Sequence, residues 1–288
     1  MLALDLGIFQ RGPREVSLRR AIGWTVLWIC LAAGFALLLY GWQGRTASLE
    51  FVTGYVIEFS LSVDNLFVFL LIFRYFQVSP THQHKVLFWG ILGALIMRAI
   101  FIVVGVKLIH HFEWVVYVFG ALLVYSGFHL LRQRTTQINP EKNPVLRVFR
   151  KFVPVTEDYA GGKFLVRKGA LYATPLLVVL VVVETTDVLF AVDSIPAVLA
   201  ITLNIFIVYT SNVFAVLGLR SMYFALAGLM ERFHYLHYGL SIVLVFVGGK
   251  MLVSHFYEFP TEWALCIVAG ILILSVLGSL LRKAPGKA

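Results

Sequence analysis

Charge is what this sequence is short of. Only 14% of its 288 residues are charged, 60% are hydrophobic, and the mean hydropathy is +0.87. A soluble domain carries roughly a quarter charged residues, so there is too little polar surface here to face water on every side. Lipid is therefore the solvent for most of the chain. Cysteine is nearly missing: Cys30 and Cys266 sit far apart in apolar runs, with no metal-ligand spacing and no disulfide framework. No His-Glu-x-x-His, Gly-x-Ser-x-Gly or Gly-x-x-x-x-Gly-Lys pattern occurs, so hydrolase and nucleotide-driven chemistries have no motif, and neither an enzyme nor a permanently bound cofactor is expected. No basic leader with a short apolar core and a small-residue cleavage site opens the chain, so a signal peptide is not expected. The net charge of +9 does not make a nucleic-acid binder, because the basic residues fall between apolar runs and form no face. In a membrane protein that excess reports orientation.

What is there in quantity is long apolar stretches. A helix needs about 20 such residues to cross the hydrocarbon. Eight stretches qualify, over 22–42, 50–76, 86–106, 112–131, 170–200, 205–229, 238–254 and 261–281. The fold class is therefore an all-α membrane protein of about eight transmembrane helices, or nine if an upstream start restores one more. With the N-terminus in the cytoplasm, that side collects 19 Lys and Arg against three (Arg45, Lys107 and Lys250) on the other; Arg98 and Arg220 fall inside spans. Such a split predicts a multi-pass protein of a bacterial-type inner membrane with a cytoplasmic C-terminus. The expected organisation is a cytoplasmic segment 1–21, then one transmembrane domain over 22–288 with a cytoplasmic loop at 132–169. Residues 1–9 read either as a short amphipathic anchor or as the last turns of a helix that begins upstream.

Two segments echo each other. Glu58 and Asp64 are six apart with Asn65 following; Asp187 and Asp193 are six apart with Ser194 following. Further on, Gly90-x7-Arg98 matches Asn212-x7-Arg220. The units are spans two to four (about 50–131) and five to seven (about 170–254). Three is odd, so the second unit enters from the opposite side: an inverted repeat, whose binding site is expected at the unit interface near the midplane.

Apart from Glu50 at the edge of span two, five of the 15 acidic residues lie in spans two and five: Glu58, Asp64, Glu184, Asp187 and Asp193. Each charge at the centre of a lipid-exposed helix costs at least about 2.5–3.5 kcal/mol, so these groups must face inward and be paired, protonated or bound to a cation. Glu184 and Asp187 share a helix face, whereas residues six apart diverge by about 240°. One aiming point for both members of a pair requires a broken helix, and Pro196 beside Ser194 is the expected break. Ser60, Ser62, Asn65, Thr185, Thr186 and Ser194 add neutral oxygens. Carboxylates with amide and hydroxyl oxygens, without thiolate or clustered imidazole, suit Mg, Ca or Mn. The alternative is that the acids merely neutralise Arg98 and Arg220, although five acids exceed two arginines; the arginines are expected to serve as counter-ions or gates. The eight histidines read as core or interfacial, with His129 the one well inside a span.

The segments TGYVIEFSLSVDNLFVFLLIFRYF (53–76), VVVETTDVLFAVDSIPAVLAIT (181–202) and SNVFAVLGLRSMYFAL (211–226) resemble the signatures of the TerC/Alx family of integral membrane proteins, over nearly the whole chain. That family is named for tellurium resistance, belongs with the LysE-type transporters and has members implicated in manganese export. The resemblance implies that Glu58, Asp64, Asn65, Glu184, Asp187 and Asp193 form a metal pathway with Mn²⁺ as the transported ion. It also implies a further helix ending near Ala3-Leu-Asp5-Leu-Gly7, and so a start upstream of Met1. The partners expected are the bilayer and a divalent cation; no motif names a protein partner. A membrane scaffold recruiting soluble proteins through 132–169 in metal or tellurite stress is the main alternative. An intramembrane aspartyl hydrolase would have two-acid chemistry but no motif. If the repeat is inverted, a reporter within 133–168 will lie in the cytoplasm and one within 255–260 outside; finding both on one side excludes the three-plus-three arrangement.

Overall fold

The computed structural model describes residues 18–132, 144–156, 159–168, 170–227, 235–254, 256–257 and 259–281. Eight of its helices are long and apolar enough to span a membrane. They are α1 (Leu18–Gln43), α2 (Arg45–Tyr75), α3 (Pro80–His111), α4 (Val115–Arg132), α6 (Pro175–Leu199), α7 (Ile205–Ala227), α8 (Leu236–Val253) and α9 (Thr261–Leu281). Each falls on a stretch expected from hydropathy. Residues 1–17, which include the segment read as a remnant helix, lie outside the described residues.

Local chemistry sets the ends of these helices. Gly44 joins α1 to α2 with φ +92°, which only glycine adopts without strain, so two long helices reverse on one residue. Pro80 and Pro175 open α3 and α6, where a missing N–H costs nothing. The second proline corrects one boundary. Span five was expected from 170, but residues Ala170–Ala173 form strand β2, paired antiparallel with β1 (Leu165–Lys168), and the helix begins only at Pro175.

Helices α2 and α7 are the most buried, whereas α1, α4 and α9 are the least. Leu37, Trp42, Tyr125 and Leu274 stand exposed on those outer helices, as lipid-facing side chains must. Pairings run α2 with α7, α3 with α6, α2 with α6, α3 with α7 and, most extensively, α4 with α8. Of three buried apolar clusters among the described residues, two fill the centre of the bundle. One contains Ile57, Ile102, Ala191 and Val208; the other contains Leu66, Leu95, Val183 and Val216. Between these two sets each of α2, α3, α6 and α7 contributes a buried polar side chain, Glu58, Arg98, Asp187 and Asn212, so a polar layer lies sandwiched between apolar ones.

The linker between α4 and α6 folds back on the bundle. A short helix α5 (Pro144–Phe152) buries Leu146 in the second apolar cluster. The Tyr159 hydroxyl donates to the Phe76 carbonyl at 2.5 Å, its ring stacks on His82, and Lys85 Nζ donates to the Gly162 carbonyl at 2.7 Å. Burial pushes the Tyr159 phenol above its ordinary pKa. The linker and the α2–α3 turn therefore share one face of the bundle, the face on which the basic residues place both.

Helices α4 and α8 approach through glycine. A Cβ on Gly248 would lie 2.7 Å from the Gly120 carbonyl oxygen and 2.9 Å from the Val124 nitrogen, both backbone atoms with little room to move. Small residues at such a seam let helices gain dispersion contact without a hydrophobic driving force. Its neighbour Gly249 has nothing within 4 Å of the same position. Gly248→Ala should therefore destabilise the detergent-solubilised protein by about 1–3 kcal/mol, whereas Gly249→Ala should be neutral or stabilising by up to about 1 kcal/mol. Thermal unfolding of the two variants checks this, and equal melting points would rule out the tight seam.

Candidate functional site

At the centre of the polar layer is Arg98 on α3, only 1% exposed. Its Nη1 donates to Glu58 Oε1, to Asn212 Oδ1 at 2.8 Å and to Ser194 Oγ at 3.4 Å. Its Nε and Nη2 donate to the two oxygens of Asp187, each at 3.4 Å. Glu58 comes from α2, Asn212 from α7, and Asp187 and Ser194 from α6. The last two are seven residues apart, hence stacked on one helix face. Glu58 and Asp187 are themselves buried, at 0% and 4% exposed. Two carboxylates against one guanidinium leave a formal negative charge in the cage. Glu58 Oε2 and Asn212 Nδ2 are buried without a hydrogen-bond partner, so the set of polar atoms is not used up by Arg98.

The other expected site residues divide. Glu184 lies against α3, and its carboxylate fills the space that a Cβ on Gly93 would take. Asp193 points away from Arg98 and accepts a hydrogen bond from Ser126 Oγ on α4 at 2.7 Å. Asn65, buried beside Ser62, lines a cavity of about 170 Å³ that also meets Ser126, His129, Asp193 and Ser194. The side chains of Asp64 and Arg220 lie outside the described residues. Among the described residues no three of His, Cys, Asp and Glu are grouped to hold a metal ion.

One expectation about local geometry is corrected. Helix α6 is continuous from Pro175 to Leu199, with Pro196 inside its last turn. The proline removes a single ladder bond there, while Ala197, Val198 and Leu199 are held buried and the Ala200 N–H closes on the Pro196 carbonyl at 2.9 Å. An unbroken helix cannot turn Asp187 and Asp193 to one point, and it does not. Several of the neutral hydroxyls are engaged within their own helices. Ser60, Thr185 and Thr186 bond back to the carbonyls of Val56, Val181 and Val182, four residues earlier.

Asn212 and Ser126 were not named as site residues from sequence. Asn212 had a signal, as the repeat counterpart of Gly90 opposite an arginine; Ser126, a serine within an apolar helix, had none.

Eight apolar helices closed around a caged arginine define a polytopic helical membrane protein with a buried charged cluster at its centre. The family model described as "Integral membrane protein TerC family" matches residues 43–286, and the chain belongs to that family. It is 49% identical over 284 residues to the Myxococcus xanthus membrane protein STKORF319, spanning 98% of this chain and 89% of that one. It is 46% identical over 287 residues to the Salmonella typhi protein Alx, named as a proposed membrane-bound redox modulator, spanning 96% and 89%. A Rickettsia bellii membrane protein is 35% identical over 284 residues, spanning 98% and 94%. No solved structure matches.

The cage predicts a steep penalty for removing its cation. Arg98→Leu leaves Glu58 and Asp187 buried and facing each other, a loss of about 3–5 kcal/mol for a broken buried pair. Adding Glu58→Gln and Asp187→Asn to Arg98→Leu should recover most of the folded yield in detergent. A single Arg98→Leu variant as stable as the wild type would mean that the cage contributes nothing.

Proposed function

We propose that this protein exports a divalent metal cation, with Mn²⁺ the ion expected, by alternating access between units α2–α4 and α6–α8. The observation that carries the reading is the cage: a cation held mid-bilayer by carboxylate, amide and hydroxyl oxygens drawn from both units. Such a donor set suits a hard or borderline divalent ion. A divalent ion replacing the guanidinium between Glu58 and Asp187 would balance both carboxylates, which Arg98 alone does not.

The helix pairing supports the two-unit reading. Exchanging α2, α3 and α4 with α6, α7 and α8 turns the α2–α7 pair into α6–α3. It leaves the α2–α6, α3–α7 and α4–α8 pairs in place, and all five packings are present. With three crossings per unit, that exchange inverts the second unit in the membrane. In this mechanism Arg98 is an internal place-holder. It swings out as the metal enters between Glu58 and Asp187, and returns as the metal leaves, so the empty carrier does not expose bare carboxylates to the bilayer. Asp193, with Asn65 beside the same layer, continues the path. Removing a redox-active metal ion would also alter redox balance, which accommodates the role in the name of the Salmonella typhi relative.

The scaffold reading rests on the 132–169 loop, whose described residues from Tyr159 to Phe164 are occupied against the bundle. Mn²⁺ flux into sealed proteoliposomes separates the two. The wild type should accumulate Mn²⁺, and Asp187→Asn and Asp193→Asn, checked for folding by gel filtration, should reduce uptake to the protein-free background. Wild-type flux in both variants would leave the caged arginine a purely structural device.

A further inference from the structure

The cavity beside the cage contains a group that neither the cage nor the sequence pattern required. His129 and Ser126 are three apart on α4, hence on one face, and both line the cavity with Asp193, Asn65 and Ser194. Ser126 pins one Asp193 oxygen at 2.7 Å. His129 stands within electrostatic reach of the same carboxylate, and its ring lies nearly parallel to Tyr125 at 5.9 Å between centroids. Asn65 is 5% exposed, and its amide nitrogen has no hydrogen-bond partner. Because the two ends of an amide are assigned rather than observed, Asn65 can present oxygen to the cavity at no cost in bonds made. About 170 Å³ is room for an ion that keeps several of its waters. Ser194 belongs to both places, since its hydroxyl also meets Arg98.

We infer that this cavity is a second cation site, next to the cage on the same path, and that the His129 imidazole makes it selective for borderline divalent ions over Mg²⁺ and Ca²⁺. The inference rests on the transport reading above and adds a residue that reading does not need. A pathway of oxygen donors alone favours Mg²⁺ or Ca²⁺ as readily as Mn²⁺, whereas imidazole suits the later transition metals and is a poor ligand for the two hard ions. Abundant Mg²⁺ would otherwise compete at every carboxylate. One nitrogen donor supplied at the second stop discriminates without altering the first.

Pulsed paramagnetic resonance of Mn²⁺ bound to the purified full-length protein tests this, since a coordinated imidazole nitrogen leaves a ¹⁴N coupling that oxygen ligands do not. Wild-type protein should show the coupling, and His129→Gln should lose it. The same variant should bind Mn²⁺ at least about tenfold more weakly, the lower end of what perturbing even an outer-shell partner of a ligand costs. Its Mg²⁺ affinity should be unchanged. A wild-type spectrum without ¹⁴N coupling, or one that persists in His129→Gln, overturns the inference and leaves the transport reading intact. Wild-type protein that binds no Mn²⁺ at all overturns both. Should His129→Gln fail to fold, the wild-type spectrum together with Asp193→Asn decides the matter. Asp193→Asn should weaken Mn²⁺ and Mg²⁺ alike, and a loss confined to one ion would place Asp193 outside the site.

Discussion

A positive charge in the middle of a bilayer has to be matched by its own protein, and the bundle is organised around doing so for Arg98. Three helices besides its own must present oxygen at one depth, which fixes the register of α2, α3, α6 and α7 together. The close approach of α3 to α6 depends on what α3 omits: Gly90 sits against Val183, and Gly93 gives its space to Glu184. The apolar clusters above and below then exclude water, and that exclusion is what makes the pairing obligatory. A buried ion pair of this kind is weak evidence for net stability, because its desolvation offsets its attraction. Its effect is on specificity, since a bundle slipped by one turn would leave three charges unpaired.

The spans could be read from sequence because lipid imposes a length and leaves no other solution. The polar layer was partly legible for the same reason: Glu58, Asp187 and Arg98 are too costly to place anywhere but inside. The linker was not. Its hairpin is two four-residue strands, and Ala170–Ala173 is apolar enough to extend the following helix on hydropathy alone. Nor could sequence decide the effect of Pro196, which depends on how near the helix end lies and how firmly its last turn is packed. Ser60, Thr185 and Thr186 resemble Ser194 in composition, yet only Ser194 turns to the cage, because a hydroxyl within a helix can satisfy itself on the carbonyl four residues back. Ser126 acquires its role from a carboxylate 67 residues away, a relation no local pattern contains.

The linker and the glycine seam hold the bundle in different ways. Tyr159, His82 and Lys85 tie the segment before α6 to the α2–α3 turn by directional bonds at one face. Helices α4 and α8 meet closely at Gly120, Gly127 and Gly248, where backbone of one helix touches backbone and apolar side chains such as Val245 and Leu252 of the other. The first kind of contact is directional and permits little sliding; the second is non-directional apolar packing.

The sandwich of apolar layers around Arg98 has an electrical consequence. With little polarisable material above or below it, the membrane potential falls across those layers and not along a water-filled vestibule. Any shift of the guanidinium along the bilayer normal is then work against that field, about 2.3 kcal/mol for a full crossing at 100 mV. A displacement through a quarter of the thickness corresponds to roughly 0.6 kcal/mol on the same scale, enough to change the ratio of two conformations by a factor of about three. In the transport cycle proposed above, the guanidinium that offsets one of the two cage carboxylates would move as a charge in that field, and the resting potential of the cell would be one of the forces that set its position.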